Sequence, residues 1–403
     1  MALHVHRGTR ADLLAEDLAA ILAVPPHDPF APEIVIVPAR GVERWLTQRL
    51  SHRLGALHGD DGVCAGVQFL SPNSLVTLLL GTDRDDPWLP DQLLWPLLST
   101  IDTSLDEEWA HSLAAHLGHH QDGAAGRLRA GRRYSVARRL AGLFHGYAVQ
   151  RPNLLLAWET GPVGDSWGDG AGGVLPADLA WQPHLWRALT RVVPGPTPVA
   201  RHAATVSALR DGSQVGVLPA RLSLFGHTRL ARTELDLLDA LGQHREVHLF
   251  LPHPSPRLWD ELADEIAVSG PVPRSQDRTV LSVQHPLLAS LGRDIREVQR
   301  ALQATTASTS LALGATPPEA PHTWLQWLQS DVRLDRQPSL LEARQRGINP
   351  HDNTIQVHAC HGPARQVEVL REALLGLLAD DPSLEPRSIL VMCPDIELSL
   401  IHI

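Results

Sequence analysis

The prediction of the fold rests on one stretch of sequence, Glu33-Ile-Val-Ile-Val-Pro38. It is short, rich in β-branched residues and bounded by prolines, which is typical of a buried strand. An apolar stripe at helical spacing follows it, formed by Val42, Trp45, Leu46, Leu50 and Leu54. Upstream, residues 3–6 are apolar and residues 14–22 have a helical period. Strand, helix, strand and helix within about fifty residues predict an α/β domain with a parallel sheet.

The strand pattern stops near residue 82 and returns later. Residues 83–193 show helical periodicity with proline punctuation, which predicts a large helical insertion. Strand patterns reappear at residues 222–226 and 247–251, so we expect the α/β sheet to resume there. Residues 303–321 are rich in Ala, Thr, Ser and Pro, and this composition predicts a loop or linker.

The end of the chain predicts one more unit. Residues 355–359 and 388–392 have strand patterns, and residues 365–378 between them have a helical pattern. A single strand, helix and strand cannot cover both faces of a parallel sheet. We therefore expect the chain to stop inside a domain, as an N-terminal fragment of a longer protein.

Composition excludes several kinds of chemistry. The 403 residues carry 35 basic and 45 acidic side chains, a net charge of −10, and every basic residue is arginine. Without lysine the chain can hold neither a Walker A loop nor a Schiff-base nucleophile. Cys64, Cys360 and Cys393 are too few and too far apart for a disulfide framework or a zinc ribbon, so a reducing compartment is expected. No leader-like start or long apolar run is present, which predicts a cytoplasmic protein without a membrane partner.

The turn after residues 33–38 is the first candidate binding site. Ligands of open α/β sheets collect outside the carboxyl ends of the strands, and helix N-termini attract anions. Arg40 and Arg44 lie four residues apart at this helix start, which suits a phosphate or a nucleic-acid backbone. The alternative is a solvated helix start whose arginines pair with Glu43 and neighbouring acids.

The second candidate is a cationic stretch. Residues 83–108 contain eight acids and one arginine, whereas residues 123–158 contain seven arginines and no acid. Such a stretch can bind phosphates, and Tyr134, Phe144, Tyr147 and Trp158 are nearby as stacking partners for bases. Alternatively, it forms a helix that docks against the acidic stretch.

Two groups with metal-ligand residue types are not expected to bind a metal. His116, His119 and His120 lack the glutamate of an H-E-x-x-H motif, because Leu117 occupies its place. His358, Cys360 and His361 do not all lie on one face of a strand. Neither group has an evident fourth ligand.

The strand at residues 222–226 also lacks ATPase chemistry. His227 and Thr228 follow it where an acidic pair would hold Mg²⁺ in a working ATPase. Together with the missing lysine, two requirements for ATP hydrolysis are unmet.

Longer motifs resemble the RecC family, the gamma subunits of exodeoxyribonuclease V. The similarity is carried by Leu3-His-Val-His-Arg-Gly, by Asp28 to Leu46, by Leu143-Phe144 with Tyr147, by Arg151-Pro152, by Trp158-Glu-Thr-Gly161, by Leu185-Trp-Arg-Ala-Leu189, by His285 to Gly292, and by His358-Ala-Cys-His361 with Arg365 to Leu370. These matches occur in order over nearly the whole chain. The ending Leu398-Ser-Leu-Ile-His-Ile403 departs from the family.

The resemblance implies a superfamily-1 helicase-like fold without an ATP site. It places a first helicase-like part at residues 1–82, a helical insertion at 83–205, the continuation of the helicase-like domain at 206–302, a linker at 303–353 and the truncated start of a second helicase-like domain at 354–403. It implies a subunit with no ATPase or nuclease activity of its own. Its partners would be DNA, a helicase-nuclease beta subunit and a helicase alpha subunit, and only the partner subunits would use ATP and Mg²⁺. Such a subunit splits duplex ends, channels the strands and scans for the regulatory octamer Chi during double-strand break repair.

The resemblance also assigns DNA-contacting positions. Gly41, Trp45, Leu143, Arg151 and Arg187 match the pattern of the family's scanning residues. The chain departs from that pattern in the turn at Pro38, Arg40 and Arg44, where the resemblance implies amide or hydroxyl side chains. It also departs in the helical insertion at Gly142 and His145, where the resemblance implies carboxylates.

Those departures change what the site can read. Amides read base edges through paired hydrogen bonds, whereas arginine prefers guanine or phosphate. We therefore expect strand binding to be retained, through Arg40 and Arg44 as well, with an altered or absent Chi preference. Two other readings remain: an autonomous α/β transferase that uses Arg40 for phosphate, and a scaffold that contacts only acidic protein surfaces.

Overall fold

The computed structural model describes residues 2–28, 30–55, 62–82, 85–215, 218–269, 272, 274–303, 305–306, 309–313 and 320–393. Within these residues no helix combines the length and the apolar character needed to cross a membrane.

Six parallel strands form one sheet. In chain order they are β1 (Ala2–Gly8), β2 (Glu33–Ile36), β3 (Val67–Leu70), β4 (Arg221–Phe225), β5 (Glu246–Pro252) and β6 (Thr309–Leu313). Their order across the sheet is β3-β2-β4-β5-β1-β6. Every pairing is parallel, with Ile34 opposite Leu222 and Leu3 opposite Val247. The expectation of an α/β fold with a parallel sheet is confirmed.

Helices cover both faces of this sheet because successive strand residues point to opposite sides. Val35 and Phe225 face α1 (Ala11–Leu22) and α2 (Arg40–Ser51). Ile36 and Leu224 face the opposite layer. That layer includes α3 (Pro72–Leu80), α10 (Pro198–Arg210), α11 (Arg232–Gly242) and α14 (Arg293–Leu302).

Between β3 and β4 the chain is helical and has its own core. The helices before α10 are α4 (Pro90–Ser104), α5 (His111–Leu117), α6 (Gly123–Ala130), α7 (Arg133–Gln150), α8 (Pro152–Thr160) and α9 (Trp181–Val192). Trp158 and Trp186 are almost completely buried there. The ring of Trp186 lies 5.2 Å from that of Trp88 and 5.3 Å from that of Phe144. Aromatic packing of this kind fixes how the helices cross.

After β5 come α12 (Pro256–Ser269) and α13 (Pro286–Leu291), and then α14 and β6. The strand β6 corrects the expectation of a structureless segment at residues 303–321. Its composition gives little strand signal, but β1 has a second edge whose backbone groups need partners. Residues 309–313 pair with His4–Gly8 on that edge.

The chain divides into two compact units. One comprises Met1–Glu319 with Asp331–Pro338 and contains the sheet, and the other comprises Ala320–Ser330 with Ser339–Ile403. The second unit contains residues 324–330 of α15 (Trp324–Arg333), together with α16 (Leu340–Gln345) and α17 (Gly362–Asp380). Within that unit the guanidinium of Arg346 lies 4.2 Å from the ring of Trp327.

In the second unit the predicted helix is confirmed as α17, but both predicted strands are wrong. Residues 355–359 and 389–392 have no strand partner among the described residues, and residues 386–388 form a 3-10 turn. A β-branched pattern becomes a strand only when a neighbour completes its ladder. The sequence ending at residues 398–403 lies outside the described residues.

Candidate nucleic-acid interface

The turn between β2 and α2 lies at the carboxyl edge of the sheet. Strand β2 ends at Ile36, and α2 begins at Arg40 after an extended Ala39 whose side chain makes no cap hydrogen bond. The first N–H groups of a helix have no partner within it. Because Ala39 cannot accept a hydrogen bond through its side chain, this helix start can receive an anion.

The side chains of this turn face solvent. Arg40, Gly41 and Arg44 are exposed, and Trp45 keeps 36% of its surface accessible. Neither Arg40 nor Arg44 forms an ion pair among the described residues, so the alternative of pairing with Glu43 is not observed. The ring of Trp45 lies 6.1 Å from that of Phe225, which supports one side of the indole. Two cations and an aromatic surface are thus available together.

The loop after β4 holds this turn in place. Gly226 has a φ of 78°, and a side chain there would meet Pro38 and Val42 at 4.0 Å. The buried His227 ring bonds through Nε2 to the carbonyl of Ile36 at 3.3 Å. Burial lowers the pKa of His227, which favours a neutral ring near pH 7. The turn therefore rests on an ordered, uncharged support.

The other residues assigned by resemblance lie on the helical segment. Leu143 on α7 is half-buried against the helical core. Arg151 donates from Nη2 to the carbonyl of Asp169 at 3.1 Å. Arg187 on α9 donates from Nη1 to the carbonyls of Trp158 and Glu159 at 3.3 and 3.4 Å.

Arg151 thereby contacts the irregular segment at residues 161–173, whereas the hydrogen-bond acceptors of Arg187 lie on α8. The guanidinium of Arg187 lies 5.8 Å from the ring of Trp167 in that segment. None of the hydrogen bonds or ring contacts described above joins these arginines to the turn at Arg40. The structure therefore separates the assigned residues into an exposed turn and a set with internal partners.

The cationic stretch forms a groove between α5 and α7. Its volume is about 410 Å³, and it is lined by Ser112, Leu113, His116, Arg132, Ser135, Val136, Arg139, Leu140 and Trp181. Arg132 and Arg139 are exposed and have no ion pair among the described residues. Among the described residues no carboxylate lines the groove, so its chemistry favours an anion.

Docking against the acidic stretch explains only part of the cationic surface. Arg133 pairs with Asp102 at 3.2 Å, as that alternative requires. Beside this ion pair, the exposed rings of Trp95 on α4 and Tyr134 on α7 have centroids 6.1 Å apart. Trp181 was not predicted, because it follows Arg139 by more than forty residues and reaches the groove only through packing.

A second cavity, of about 590 Å³, was not predicted. It lies between α3, α7, α10 and α11 and includes Asn73, Thr77, His145, Arg201 and Glu234. Arg201 makes two hydrogen bonds to Asp86, at 3.1 and 2.7 Å. Burial raises the pKa of Glu234 and lowers that of His145, and Asp86 opposes the latter shift. Since its walls come from residues 73 to 237, no local motif could reveal this cavity.

The histidine groups also differ from each other. His358 and His361 are exposed; His358 bonds to the Gln356 side chain at 3.2 Å and Cys360 to the His358 carbonyl at 3.7 Å. His119 bonds through Nε2 to Asp106 at 2.8 Å, next to His120.

Comparison with known proteins gives consistent matches over most of the chain. The family model described as "RecC, N-terminal domain" matches residues 3–335. The chain is 56% identical over 399 residues to the RecBCD enzyme subunit RecC of Mycobacterium tuberculosis, 54% identical over 397 residues to that of Mycolicibacterium smegmatis and 27% identical over 439 residues to that of Escherichia coli. Each alignment covers 98% of this chain but only 35%, 34% and 37% of the respective relative. The chain thus spans about a third of the length of these relatives.

Proposed function

Because the chain belongs to the RecC family, we propose that it is part of a non-motor DNA-binding subunit of an exodeoxyribonuclease V. Such a subunit splits duplex ends and channels single strands during double-strand break repair. A helicase-nuclease beta subunit and a helicase alpha subunit are its partners and use ATP and Mg²⁺. The chain itself hydrolyses neither ATP nor DNA.

The architecture supports this proposal. A parallel sheet covered on both faces, with its candidate site at the carboxyl edge, suits a superfamily-1 helicase-like domain. The chain contains no lysine for a Walker A loop. The position after β4 carries His227 and Thr228 instead of two carboxylates. A motor-like domain with these replacements retains a DNA-binding surface without a nucleotide cycle.

One observation carries the proposal: Arg40 and Arg44 are exposed and unpaired among the described residues, beside the accessible indole of Trp45. Unpaired guanidinium groups bind phosphates by releasing counterions, and indoles stack on bases. A strand that crosses this edge would find both kinds of contact within one helical turn.

The groove between α5 and α7 offers a second place where a nucleic-acid strand can bind through its phosphates. Arg132 and Arg139 lie two helical turns apart, so both can neutralise phosphates along one backbone. Leu143, Arg151 and Arg187 follow on the same helical segment. In our proposal Arg151 positions the segment 161–173 through Asp169, and Arg187 joins α9 to the end of α8 beside Trp167 of that segment.

The proposal includes weak or absent reading of Chi. Arg40 and Arg44 replace side chains that would discriminate bases through amide or hydroxyl groups, and His145 replaces a carboxylate. Phosphate contacts carry no sequence information by themselves.

The test compares arginine variants in the purified protein. Arg40→Ala with Arg44→Ala is expected to weaken single-strand binding about tenfold and to reduce its salt dependence. Arg53→Ala is the matched control, since Arg53 is exposed but faces Glu16 at 3.9 Å beyond the far end of α2. Unchanged affinity of the double variant would remove this turn from the DNA path.

Further measurements on the same purified protein distinguish this proposal from the alternative functions. Binding to a Chi octamer and to a scrambled octamer should be equal within about twofold. Binding that is insensitive to salt, or absent, would favour a protein scaffold. ATP or DNA hydrolysis, or group transfer, by the isolated protein would contradict the proposal.

A further inference from the structure

Three metal-ligand side chains meet on the surface of the helical segment. Asp106 lies shortly after α4, and His119 and His120 lie between α5 and α6. One ligand atom from each residue lies within 4.8 Å of those of the other two. Asp106 is thirteen residues from His119, so the sequence spacing of the histidines does not reveal it.

We propose that Asp106, His119 and His120 bind a divalent transition-metal ion of the zinc class. Imidazole nitrogens and a carboxylate oxygen are common zinc ligands, at about 2.0 to 2.2 Å from the metal. Around a tetrahedral ion this places ligand atoms about 3.3 to 3.6 Å apart, which small side-chain rotations from the present arrangement achieve. A fourth position remains open for water, as in other sites with three protein ligands.

The geometry of the turn favours chelation by both histidines. Gly118 ends α5 with a φ of 65°, a conformation that glycine adopts without strain. The two rings then lie edge to face, with centroids 4.6 Å apart. His119 already directs Nε2 at Asp106 at 2.8 Å, so a metal ion would take the place of this hydrogen bond. His116 is not part of the cluster, because it lines the groove with Arg132.

A bound ion would order α6. This helix buries only Gly126, so its own apolar packing holds it weakly. Its other ties are local: Arg129 donates from Nη1 to the carbonyl of Ala115 at 3.2 Å. A metal that joins Asp106 to the residues just before α6 would fix the start of α6 against the end of α4. Its arginines, Arg127 and Arg129, would be held with it.

The experiment measures Zn²⁺ binding to the untagged protein by titration calorimetry, and Co²⁺ binding by visible absorption. We expect one binding site. Its affinity for Zn²⁺ should fall at least tenfold in each of His119→Ala, His120→Ala and Asp106→Asn. His116→Ala is the matched control, because it removes a nearby exposed histidine outside the cluster. Its affinity should stay within about twofold of the parent protein. These binding changes follow from losing one of three ligands.

Stability gives a second readout. Saturating Zn²⁺ should raise the melting temperature and slow proteolysis at residues 118–130 in the parent protein and in His116→Ala, but not in Asp106→Asn. Because the chain has 22 histidines, stoichiometry alone does not identify the site. Equal loss in His116→Ala, or binding that survives in the His119 and His120 variants, would overturn the proposal, as would no binding at micromolar Zn²⁺.

Discussion

The start of β4 and the start of α2 use arginine in different ways. Arg221 on β4 donates to Glu33 and to the carbonyls of Ile21 and Val24, so it joins the start of the sheet to the end of α1. Arg40 and Arg44 on α2 have no such partner among the described residues. Each of these arginines adds the same single positive charge to the net charge of the chain. Of the three, only Arg40 and Arg44 can therefore neutralise phosphate without losing an internal contact.

Replacing Asp86, the buried ion-pair partner of Arg201, should have the largest effect on stability. The Asp86 carboxylate is 7% exposed and holds Arg201 through two hydrogen bonds. Asp86→Ala leaves a half-buried guanidinium uncompensated and is expected to cost about 3 to 5 kcal/mol in the free energy of unfolding. Urea denaturation measures it. The control is Asp236→Ala, which breaks an exposed pair with Arg232 at 2.9 Å and should cost about 0.5 kcal/mol or less. Similar losses in both variants would contradict the distinction.

Acid should act on the interior and destabilise the fold. Burial lowers the pKa of His248 and that of His253 to about 4, from the ordinary 6.5. The unfolded chain therefore binds protons that the folded chain refuses, and stability falls as the pH drops below 6.5 towards 4. Each histidine should cost about 2 kcal/mol by pH 5.

Denaturation between pH 7.5 and 5 measures this loss above the range in which most carboxylates titrate. His253→Asn should remove about half of it. An unchanged pH slope in that variant would show that the loss arises elsewhere.

Variants of the groove should change DNA affinity and leave stability alone. Replacing Arg132 and Arg139 by alanine is expected to weaken single-strand binding about tenfold and to lower the salt slope by about 1.4. Arg138→Ala is the control, because Arg138 is exposed on the same helix but does not line the groove. Fluorescence anisotropy at several salt concentrations measures both quantities. If Arg138→Ala has as large an effect per charge as either groove variant, the groove has no special role.

Arg187 gives the smallest and most discriminating test. Arg187→Ala removes its hydrogen bonds to two carbonyls of α8 and should cost about 1 kcal/mol in stability. Its salt slope for DNA binding should equal that of the parent protein, because its guanidinium is already engaged. A reduced slope with unchanged stability would instead place Arg187 in direct contact with a phosphate.

Local pattern was sufficient for much of the fold. The run at residues 33–38 became β2, and the stripes after it became α2, because short-range periodicity already specifies which side chains are buried. The same reasoning failed at residues 355–359 and 388–392, where a strand pattern has no partner strand among the described residues. It also missed β6, whose pairing with β1 depends on the tertiary structure.

The candidate site was predictable only in its exposed part. Arg40 and Arg44 follow from the turn that a strand and a helix must share. The hydrogen bonds of Arg187 to residues 158 and 159 depend on how α8 and α9 pack. The cavity that His145 lines depends on the packing of α3 against α7. Neither arrangement leaves a short-range mark in the sequence.

The pairing of β1 with β5 has a consequence for biosynthesis. Hydrogen-bonded side chains on these neighbouring strands are 242 residues apart. At roughly 5 to 20 residues per second, a ribosome needs on the order of 10 to 50 s to deliver the second strand after the first. During that interval the edge of β1 is an open template for other chains. The central part of the sheet therefore closes late in synthesis, only after β5 has left the ribosome.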